Sequence, residues 1–268
     1  MNHQPKQEQD LITQSHIDER EPLYGKCDGR FALISSSSSF AENLLPKDLE
    51  LAPQNYTSQG SHPLLLMYND TWLHSNPFLE KSAKKHNLDL NLHYNEFIVM
   101  LPFVQFKDSK YNEDAPFCFL PVLYLDSWLA VLGGRVFWEF NKELARFKTK
   151  GSTYEIHHEV FNRLYLTSQF SNSQAPPVIG SSLSNFEAIT PILQLPVIEY
   201  GKMGYITSIY KVEYENQYIS PFSLSGTNYD SPYLPKGNFQ SPSIETDVMG
   251  SFSLQYNWSL SYAKLIKF

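Results

Sequence analysis

The feature that most constrains this sequence is an alternation of large apolar residues near its C-terminus. Large apolar side chains alternate with smaller or polar ones at Phe252, Leu254, Tyr256, Trp258, Leu260 and Tyr262. A period of two places these side chains on one face of an extended chain. The pattern therefore predicts a long C-terminal strand.

Further strand candidates recur along the chain, whereas long helical patterns are scarce. Runs rich in branched and aromatic residues lie at 31–34, 62–68, 92–106, 117–124, 155–167, 192–200, 205–213 and 218–224. Aromatic residues make up 15% of the chain, and they favour strands. Many strands with few long helices indicate a mainly β fold (β-rich α+β), in which an antiparallel sheet closes into a barrel or cone with a few short helices.

Local patterns predict where the strands are interrupted. Ser39, followed three residues later by Glu42, has the capping-box pattern, which predicts a helix that Pro46 ends. Pro102 predicts an edge or a bulge within its strand. Residues 228–242 are rich in Pro, Gly, Asn and Ser, and they predict a long loop at a subunit contact or at a cavity mouth.

The composition indicates a globular chain and excludes several classes of function. The chain has 268 residues, 42% of them hydrophobic, a net charge of −7 and a pI of about 5.6. No basic stripe suits a nucleic acid, and no apolar run reaches membrane-spanning length. Residues 1–22 are polar without apolar periodicity, so we expect a flexible tail before a single domain at residues 23–268. Because the N-terminus lacks the apolar core of a signal peptide, we expect a cytoplasmic protein.

The cysteines and histidines do not indicate a disulfide framework or a metal centre. Cys27 and Cys118 form neither a CxxC pattern nor a zinc spacing, so we expect two reduced thiols. His157, His158 and Glu159 are consecutive. Adjacent residues on a strand point to opposite faces, so the two imidazoles would not converge on one ion.

One lysine stands beside a cluster of aromatic residues. Lys142 follows Phe137, Trp138 and Phe140 in the segment YLDSWLAVLGGRVFWEFNKELARF, residues 124–147. A dry pocket disfavours the ammonium form, lowers the pKa of the lysine and frees its amine to form a Schiff base with a carbonyl compound. A surface lysine that extends past its aromatic neighbours is the alternative, and this segment alone favours it.

The same segment predicts two short helices. The first covers residues 127–132 and ends at Gly133–Gly134, because glycine commonly terminates a helix. The second covers residues 141–147, whose composition favours a helix with Asn141 as its N-cap.

Three ordered blocks of the sequence resemble the acetoacetate decarboxylase family. Tyr124–Asp126, Gly134–Arg135 and Lys142 match, without a gap, the family's Tyr-Leu-Asp triplet, its Gly-Arg pair and its Schiff-base lysine. The block HYNEFIVMLPFVQF resembles the family's Tyr-x-Glu strand and places Glu96 on an active-site glutamate. The block FALISSSSSFAENLLPKDLELAP resembles the family's early strand, helix and Leu-Pro-x-x-Leu-Glu turn. Acetoacetate decarboxylase is a standard example of an activated lysine.

The resemblance implies a β-rich cone with a central cavity and a reaction that needs no metal and no cofactor. That reaction is the decarboxylation of a β-keto acid through a Schiff base on Lys142, with Glu96 moving protons. The bidentate guanidinium of Arg135 suits a substrate carboxylate, and the family also places an arginine near its first strand, for which Arg30 is the nearest candidate if the alignment is shifted by a few residues. From the residues alone, Arg135 can equally hold Asp126 or the backbone near the glycines. Family members are commonly homo-oligomers, so the implied partners are a small keto acid and further copies of the chain.

Two positions depart from the family pattern. Glu143 stands where the decarboxylase has a second lysine, and Leu64 falls near a second active-site glutamate. A carboxylate raises the pKa of a lysine only if it approaches the amine, and adjacent side chains need not meet. Three functions therefore remain open: decarboxylation of a β-keto acid, an aldolase-dehydratase reaction on pyruvate-type substrates, and small-molecule binding without catalysis.

Overall fold

The computed structural model describes residues 23–75, 92–112, 116–172, 176–202, 204–212, 214 and 217–266. The predicted flexible tail at residues 1–22 lies outside these ranges. The helices of the described residues are α1 (Ser38–Asn43), α2 (Trp128–Phe137) and α3 (Ser184–Leu193), with short 3-10 turns at Ser109–Tyr111 and Gly180–Ser182. No helix in this part of the chain is long and apolar enough to cross a membrane.

The described strands form one 16-stranded sheet. They are β1 (Leu23–Ser37), β2 (Leu49–Leu51), β3 (Ser61–Ser75), β4 (Leu92–Phe106), β5 (Phe117–Leu125), β6 (Lys142–Lys150), β7 (Thr153–His158), β8 (Leu164–Asn172), β9 (Val178–Ile179), β10 (Val197–Gly201), β11 (Gly204–Ser208), β12 (Tyr210–Val212), β13 (Tyr218–Asn228), β14 (Gly237–Ser241), β15 (Ser251–Leu260) and β16 (Lys264–Leu265).

The sheet closes into a ring through β5. Following hydrogen-bonded neighbours, the ring runs β5, β6, β7, β8, β13, β15, β1, β3, β4 and back to β5. The predicted mainly β fold with a closed sheet is therefore confirmed. The sheet is mixed and not wholly antiparallel, because β6 and β10 both run parallel to β5. Helix α2 makes the crossover that a parallel β5–β6 pair requires.

Two hydrophobic cores lie on opposite faces of the central strands. In β1, Phe31 and Leu33 enter one core while Ala32 and Ile34 enter the other, as the alternation of a strand requires. The first core also receives buried residues of α2 and α3, and we call it the α2-side core. The second, which we call the opposite core, contains a buried aromatic cluster that includes Tyr68. The candidate site lies on the α2-side face.

Several local predictions are confirmed with small changes of bounds. The C-terminal alternation forms β15, in which Phe252 and Tyr256 are buried. The bulge predicted at Pro102 is present, because the pairing of β4 with β5 shifts register around it and Phe103 has a φ of 57°. Helix α1 begins two residues earlier than the capping-box pattern at Ser39 predicted. Its N-cap is Ser37, whose side chain accepts a hydrogen bond from the N–H of residue 40 at 3.2 Å.

The helix predicted at residues 141–147 is wrong, because these residues enter strand β6. The N–H of Leu123 donates to the carbonyl of Asn141 at 3.0 Å, and β6 then pairs with β5 on one edge and with β7 on the other. Two strand partners outweigh a weak local preference for helix. The preceding helix α2 also continues through Gly133 and Gly134, where an end was predicted. The loop predicted at residues 228–242 contains β14.

Candidate active site

Lys142 is a buried lysine at the first position of β6. Its backbone is in register with Leu123 of the parallel strand β5, and its side chain is only 8% exposed. The Nζ atom lies 5.9 Å from the ring centroid of Phe140, so part of the predicted aromatic surrounding is present. Burial lowers the pKa of Lys142 because it disfavours the ammonium form, and the charge of Glu96 opposes this shift.

The Gly134–Arg135 pair of α2 lies against the same lysine. A Cβ atom at Gly134 would lie 2.4 Å from Cδ and Cε of Lys142 and 2.8 Å from its Nζ. Only glycine therefore leaves room for the lysine side chain at this point of the helix. The Nε of Arg135 donates to the backbone carbonyl of Lys142 at 2.7 Å. Of the roles left open for Arg135, the observed contact is the one to the backbone.

Glu96 is a buried carboxyl group on β4, with 7% of its surface exposed. Its Oε1 accepts hydrogen bonds from Asn69 Nδ2 at 3.3 Å and from Thr71 Oγ1 at 3.4 Å, both on the neighbouring strand β3. Burial raises the pKa of Glu96, while Lys142 and, to a smaller extent, these two hydrogen bonds lower it. Burial has the largest effect, so the pKa of Glu96 lies above that of an exposed carboxyl.

The structure brings Lys142 and Glu96 to the same face of the sheet. Phe97 follows Glu96 and enters the opposite core, so Glu96 points to the α2-side face. Glu143 follows Lys142 and points to the opposite face, so Lys142 also points to the α2-side face. Each of the two buried groups shifts the pKa of the other, so they interact electrostatically. Within the described part of the chain, Lys142 forms no ion pair within 4.0 Å.

A group of thiol and phenol side chains surrounds Glu96. The Sγ of Cys27 lies 3.2 Å from Thr71 Oγ1, and Tyr256 donates its hydroxyl to Asn69 Oδ1 at 3.5 Å. Tyr210 in turn donates to the hydroxyl of Tyr256 at 3.3 Å. Burial raises the pKa of the Cys27 thiol to about 12 and that of the Tyr256 phenol well above its ordinary value, so these groups are neutral at pH 7.

The sequence did not single out Asn69, Thr71 or Tyr256 as site residues. Asn69 and Thr71 lie beyond the strand candidate at residues 62–68, and Tyr256 was interpreted as part of an apolar face. A polar residue on alternate positions of a buried strand is the signal that could have marked Asn69 and Thr71, which are 2% and 0% exposed.

Arg30 is not brought together with Lys142 and Glu96. Its guanidinium lies 5.0 Å from the ring centroid of Phe170, whose side chain belongs to the opposite core. The reason is strand parity, since the next residue, Phe31, enters the α2-side core and neighbouring side chains point to opposite faces.

The two positions that depart from the family pattern also point away from the amine. The Oε1 of Glu143 accepts a hydrogen bond from the hydroxyl of Tyr233 at 3.1 Å, on the face opposite to Lys142. The pKa of Lys142 is affected by Glu96 and not by Glu143. Leu64 is 0% exposed within the opposite core, so it does not face the amine either.

The histidine pair contacts separate partners. The Nε2 of His157 lies 2.9 Å from Glu155 Oε2, whereas the Nδ1 of His158 accepts the N–H of Val160 at 3.1 Å. No group of His, Cys, Asp and Glu in the described part of the chain is arranged to hold a metal ion. Cys27 and Cys118 are both buried free thiols, as the sequence indicated.

A broad surface depression of about 1400 Å³ lies elsewhere on the molecule. It is lined mainly by hydroxyl and amide side chains of β7, β8, β13 and β14, and neither Lys142 nor Glu96 is among its lining residues. We place the candidate site at the buried lysine and carboxyl, because buried ionisable groups that shift each other's pKa indicate chemistry better than the size of a depression does.

Comparisons with known proteins identify the fold. No protein-family model matches the chain, and no curated protein sequence matches it. Several solved structures are similar to it, and they include the following three. The enduracididine biosynthesis enzyme MppR, complexed with the condensation product of pyruvate and imidazole 4-carboxaldehyde, has a TM-score of 0.56 and 13% identity over 92% of this chain and 89% of that one. Acetoacetate decarboxylase from Legionella pneumophila has a TM-score of 0.55 and 15% identity over 92% and 87% of the two chains.

An acetoacetate decarboxylase-like enzyme from Sphingomonas wittichii RW1 also has a TM-score of 0.55, with 10% identity over 92% of this chain and 93% of that one. The neighbours thus include both a decarboxylase and an enzyme bound to a pyruvate condensation product. Similarity at this level of identity establishes architecture and not activity. The chain has the acetoacetate decarboxylase-like fold, as the three sequence blocks indicated.

Proposed function

We propose that the protein is an enzyme that forms a Schiff base between Lys142 and a small keto acid, and that its reaction is the decarboxylation of a β-keto acid. The observation that carries the proposal is a buried lysine, its pKa lowered by desolvation, on the same face as the buried carboxyl of Glu96. The match of Lys142 and Glu96 to the family motifs and the fold of the neighbours support it.

The proposed reaction begins when the free amine of Lys142 attacks the ketone carbon of the substrate. Loss of water leaves a protonated imine. The bond to the carboxylate carbon then breaks, carbon dioxide leaves, and the electron pair moves towards the imine nitrogen to give an enamine. Glu96, in its protonated form, gives its proton to the enamine carbon. Water finally hydrolyses the imine, which releases the ketone and restores the amine.

The protein environment supports each of these roles. Burial lowers the pKa of the Lys142 amine and so favours the free base, which a nucleophile requires. Asn69 and Thr71 both donate to Oε1 of Glu96, so we assign the proton transfer to Oε2. We assign Arg135 to holding the backbone of Lys142, because its Nε is engaged by the lysine carbonyl.

A second candidate reaction is aldol condensation followed by dehydration. The structure of MppR with a condensation product of pyruvate favours it, since the two chains share their architecture. Here the imine of pyruvate would lose a methyl proton to the carboxylate of Glu96, and the enamine would attack an aldehyde. The same Lys142 begins both reactions, so product analysis decides between them.

Intact-mass analysis after borohydride reduction tests the proposal. The protein is incubated with acetoacetate or pyruvate and reduced, and the adduct is located by peptide mapping. We expect one adduct at Lys142 that is absent in Lys142→Ala. The matched control is Lys148→Ala, an exposed lysine on the same strand, which should keep the adduct. An adduct that persists in Lys142→Ala, or no adduct with either acid, would contradict the proposal.

Released carbon dioxide and acetone would then identify decarboxylation. An aldehyde consumed together with pyruvate would identify the condensation instead. An adduct that forms at Lys142 without turnover of either kind would leave a binding protein with a reactive lysine.

A further inference from the structure

A tyrosine hydroxyl contacts both residues that flank Lys142. Tyr233 lies in the loop between β13 and β14, far along the sequence from β6. Its hydroxyl accepts a hydrogen bond from Asn141 Nδ2 at 3.3 Å and donates one to Glu143 Oε1 at 3.1 Å. A single side chain thus bridges positions 141 and 143. Because these positions share one face of the strand, the bridge lies opposite to the amine of Lys142.

The loop that carries Tyr233 is itself fixed in place. Asn228 is 2% exposed, and its Nδ2 donates to the carbonyls of Ser231 and Leu234 at 2.8 Å each. Its Oδ1 accepts the N–H of Ser231 at 2.9 Å. Leu234 is 1% exposed within the opposite core. Tyr233 is therefore presented by an ordered turn, and its hydroxyl needs little reorganisation to meet its partners.

Other contacts fix the backbone of the same segment from the sides. Asn141 Nδ2 also donates to the carbonyl of Pro121 at 2.6 Å, and Arg135 donates to the carbonyl of Lys142. Among these contacts, the Tyr233 bridge is the one that joins position 141 to position 143. It keeps both side chains on the opposite-core face, so the side chain of Lys142 must leave the strand on the α2-side face.

We propose that Tyr233 is a positioning residue for Lys142 and that Glu143 serves as its hydrogen-bond acceptor. The proposal rests on the Schiff-base function proposed above for Lys142. Glu143, which departs from the family pattern, would then have a structural role. Its carboxylate accepts the hydrogen bond from Tyr233 on the face opposite to Lys142 and so holds the strand that carries the lysine. What the bridge requires of position 143 is an acceptor oxygen and not a negative charge.

The test compares four variants. Tyr233→Phe removes the bridging hydroxyl, Glu143→Ala removes the acceptor, and Glu143→Gln removes the charge but keeps an acceptor oxygen at Oε1. Tyr229→Phe is the matched control, because Tyr229 lies in the same loop and is 52% exposed. The rate of borohydride-trapped adduct formation on Lys142 with acetoacetate is measured across pH, and amide hydrogen exchange is measured for peptides covering residues 140–144.

We expect Tyr233→Phe and Glu143→Ala to form the adduct about five- to tenfold more slowly, as for the loss of one hydrogen bond. Glu143→Gln should stay within about twofold of the wild type, because an amide oxygen accepts as a carboxylate does. Tyr229→Phe should match the wild type. Equal rates for Tyr233→Phe and Tyr229→Phe would overturn the proposal, and so would a Glu143→Gln variant as slow as Glu143→Ala.

Hydrogen exchange separates this proposal from the proposed function. If the wild type forms no adduct, the proposed Schiff-base function is contradicted. Amide hydrogen exchange alone then tests whether the Tyr233 bridge holds the segment. Faster exchange at residues 140–144 in Tyr233→Phe, but not in Glu143→Gln or Tyr229→Phe, would support the bridge. Unchanged exchange in Tyr233→Phe would refute it.

Discussion

Replacing Gly134 by alanine should displace the amine of Lys142 while leaving the fold intact. The added Cβ would lie 2.4 Å from Cδ and Cε of the lysine. Carbon atoms in contact prefer a separation of about 3.5–4.0 Å, so the lysine methylenes must retreat by at least about 1 Å. The lysine is buried, so it cannot move freely into solvent. The amine therefore changes its position relative to Glu96.

The expected effects on rate and on stability differ in size. A misplacement of about 1 Å can cost roughly 100-fold in rate, so we expect adduct formation at Lys142 to slow by about 10- to 100-fold. Overpacking costs about 1–3 kcal/mol, and alanine in a helix recovers about 0.5–1 kcal/mol relative to glycine. We therefore expect the free energy of unfolding of Gly134→Ala to fall by no more than about 2.5 kcal/mol.

The neighbouring glycine provides the matched control. A Cβ atom at Gly133 would meet nothing within 4 Å, although Gly133 belongs to the same helix. Gly133→Ala should form the adduct at the wild-type rate and gain about 0.5–1 kcal/mol of stability. The rates come from borohydride trapping and the stabilities from urea unfolding. A wild-type rate in Gly134→Ala would refute the argument that this glycine makes room for the lysine.

Three further outcomes follow from the site and the cores. Glu96→Gln removes the charge that raises the pKa of Lys142, so the pKa of Lys142 should fall further. The pH at which the rate of adduct formation increases should therefore move to a lower value. The assignment would be contradicted if that pH stayed the same or moved upward. Leu64→Ala should cost about 2–5 kcal/mol in urea unfolding while adduct formation at 25 °C is retained, because Leu64 lies in the opposite core. Cys27 has a thiol pKa of about 12, so iodoacetamide at pH 8 should label it at least about 100-fold more slowly in the native protein than in urea; equal rates would show that the thiol is not buried.

Local patterns in the sequence predicted several of the strands, and the resemblance to a known family indicated the candidate lysine. Strand β4 has the bounds that its apolar run predicted, and β15 follows the period-two alternation of the C-terminus. These patterns succeed because a strand that is buried on one face has apolar residues at alternate positions, which the local sequence shows directly. The spacing of Gly134, Arg135 and Lys142 indicated the site through its resemblance to the family motif, and these residues lie between the end of β5 and the start of β6.

Local patterns failed where a distant partner decided the outcome. Residues 141–147 have a composition that suits a helix, yet pairing with β5 and β7 makes them a strand. Asn69 and Thr71 belong to the site only because β3 lies beside β4. Such pairings join residues far apart in the chain, and the energy of a sheet resides in these cross-strand contacts rather than in the local sequence.

The sequence by itself determined that this chain forms a closed β-rich fold and that Lys142 and Glu96 are candidate site residues. Only the tertiary structure decided which side chains share a face with that lysine. Glu96 lies on its face, whereas Arg30 and Glu143 lie on the other. The physical reason is that successive side chains of a strand point to opposite sides, so register between distant strands sets the composition of each face.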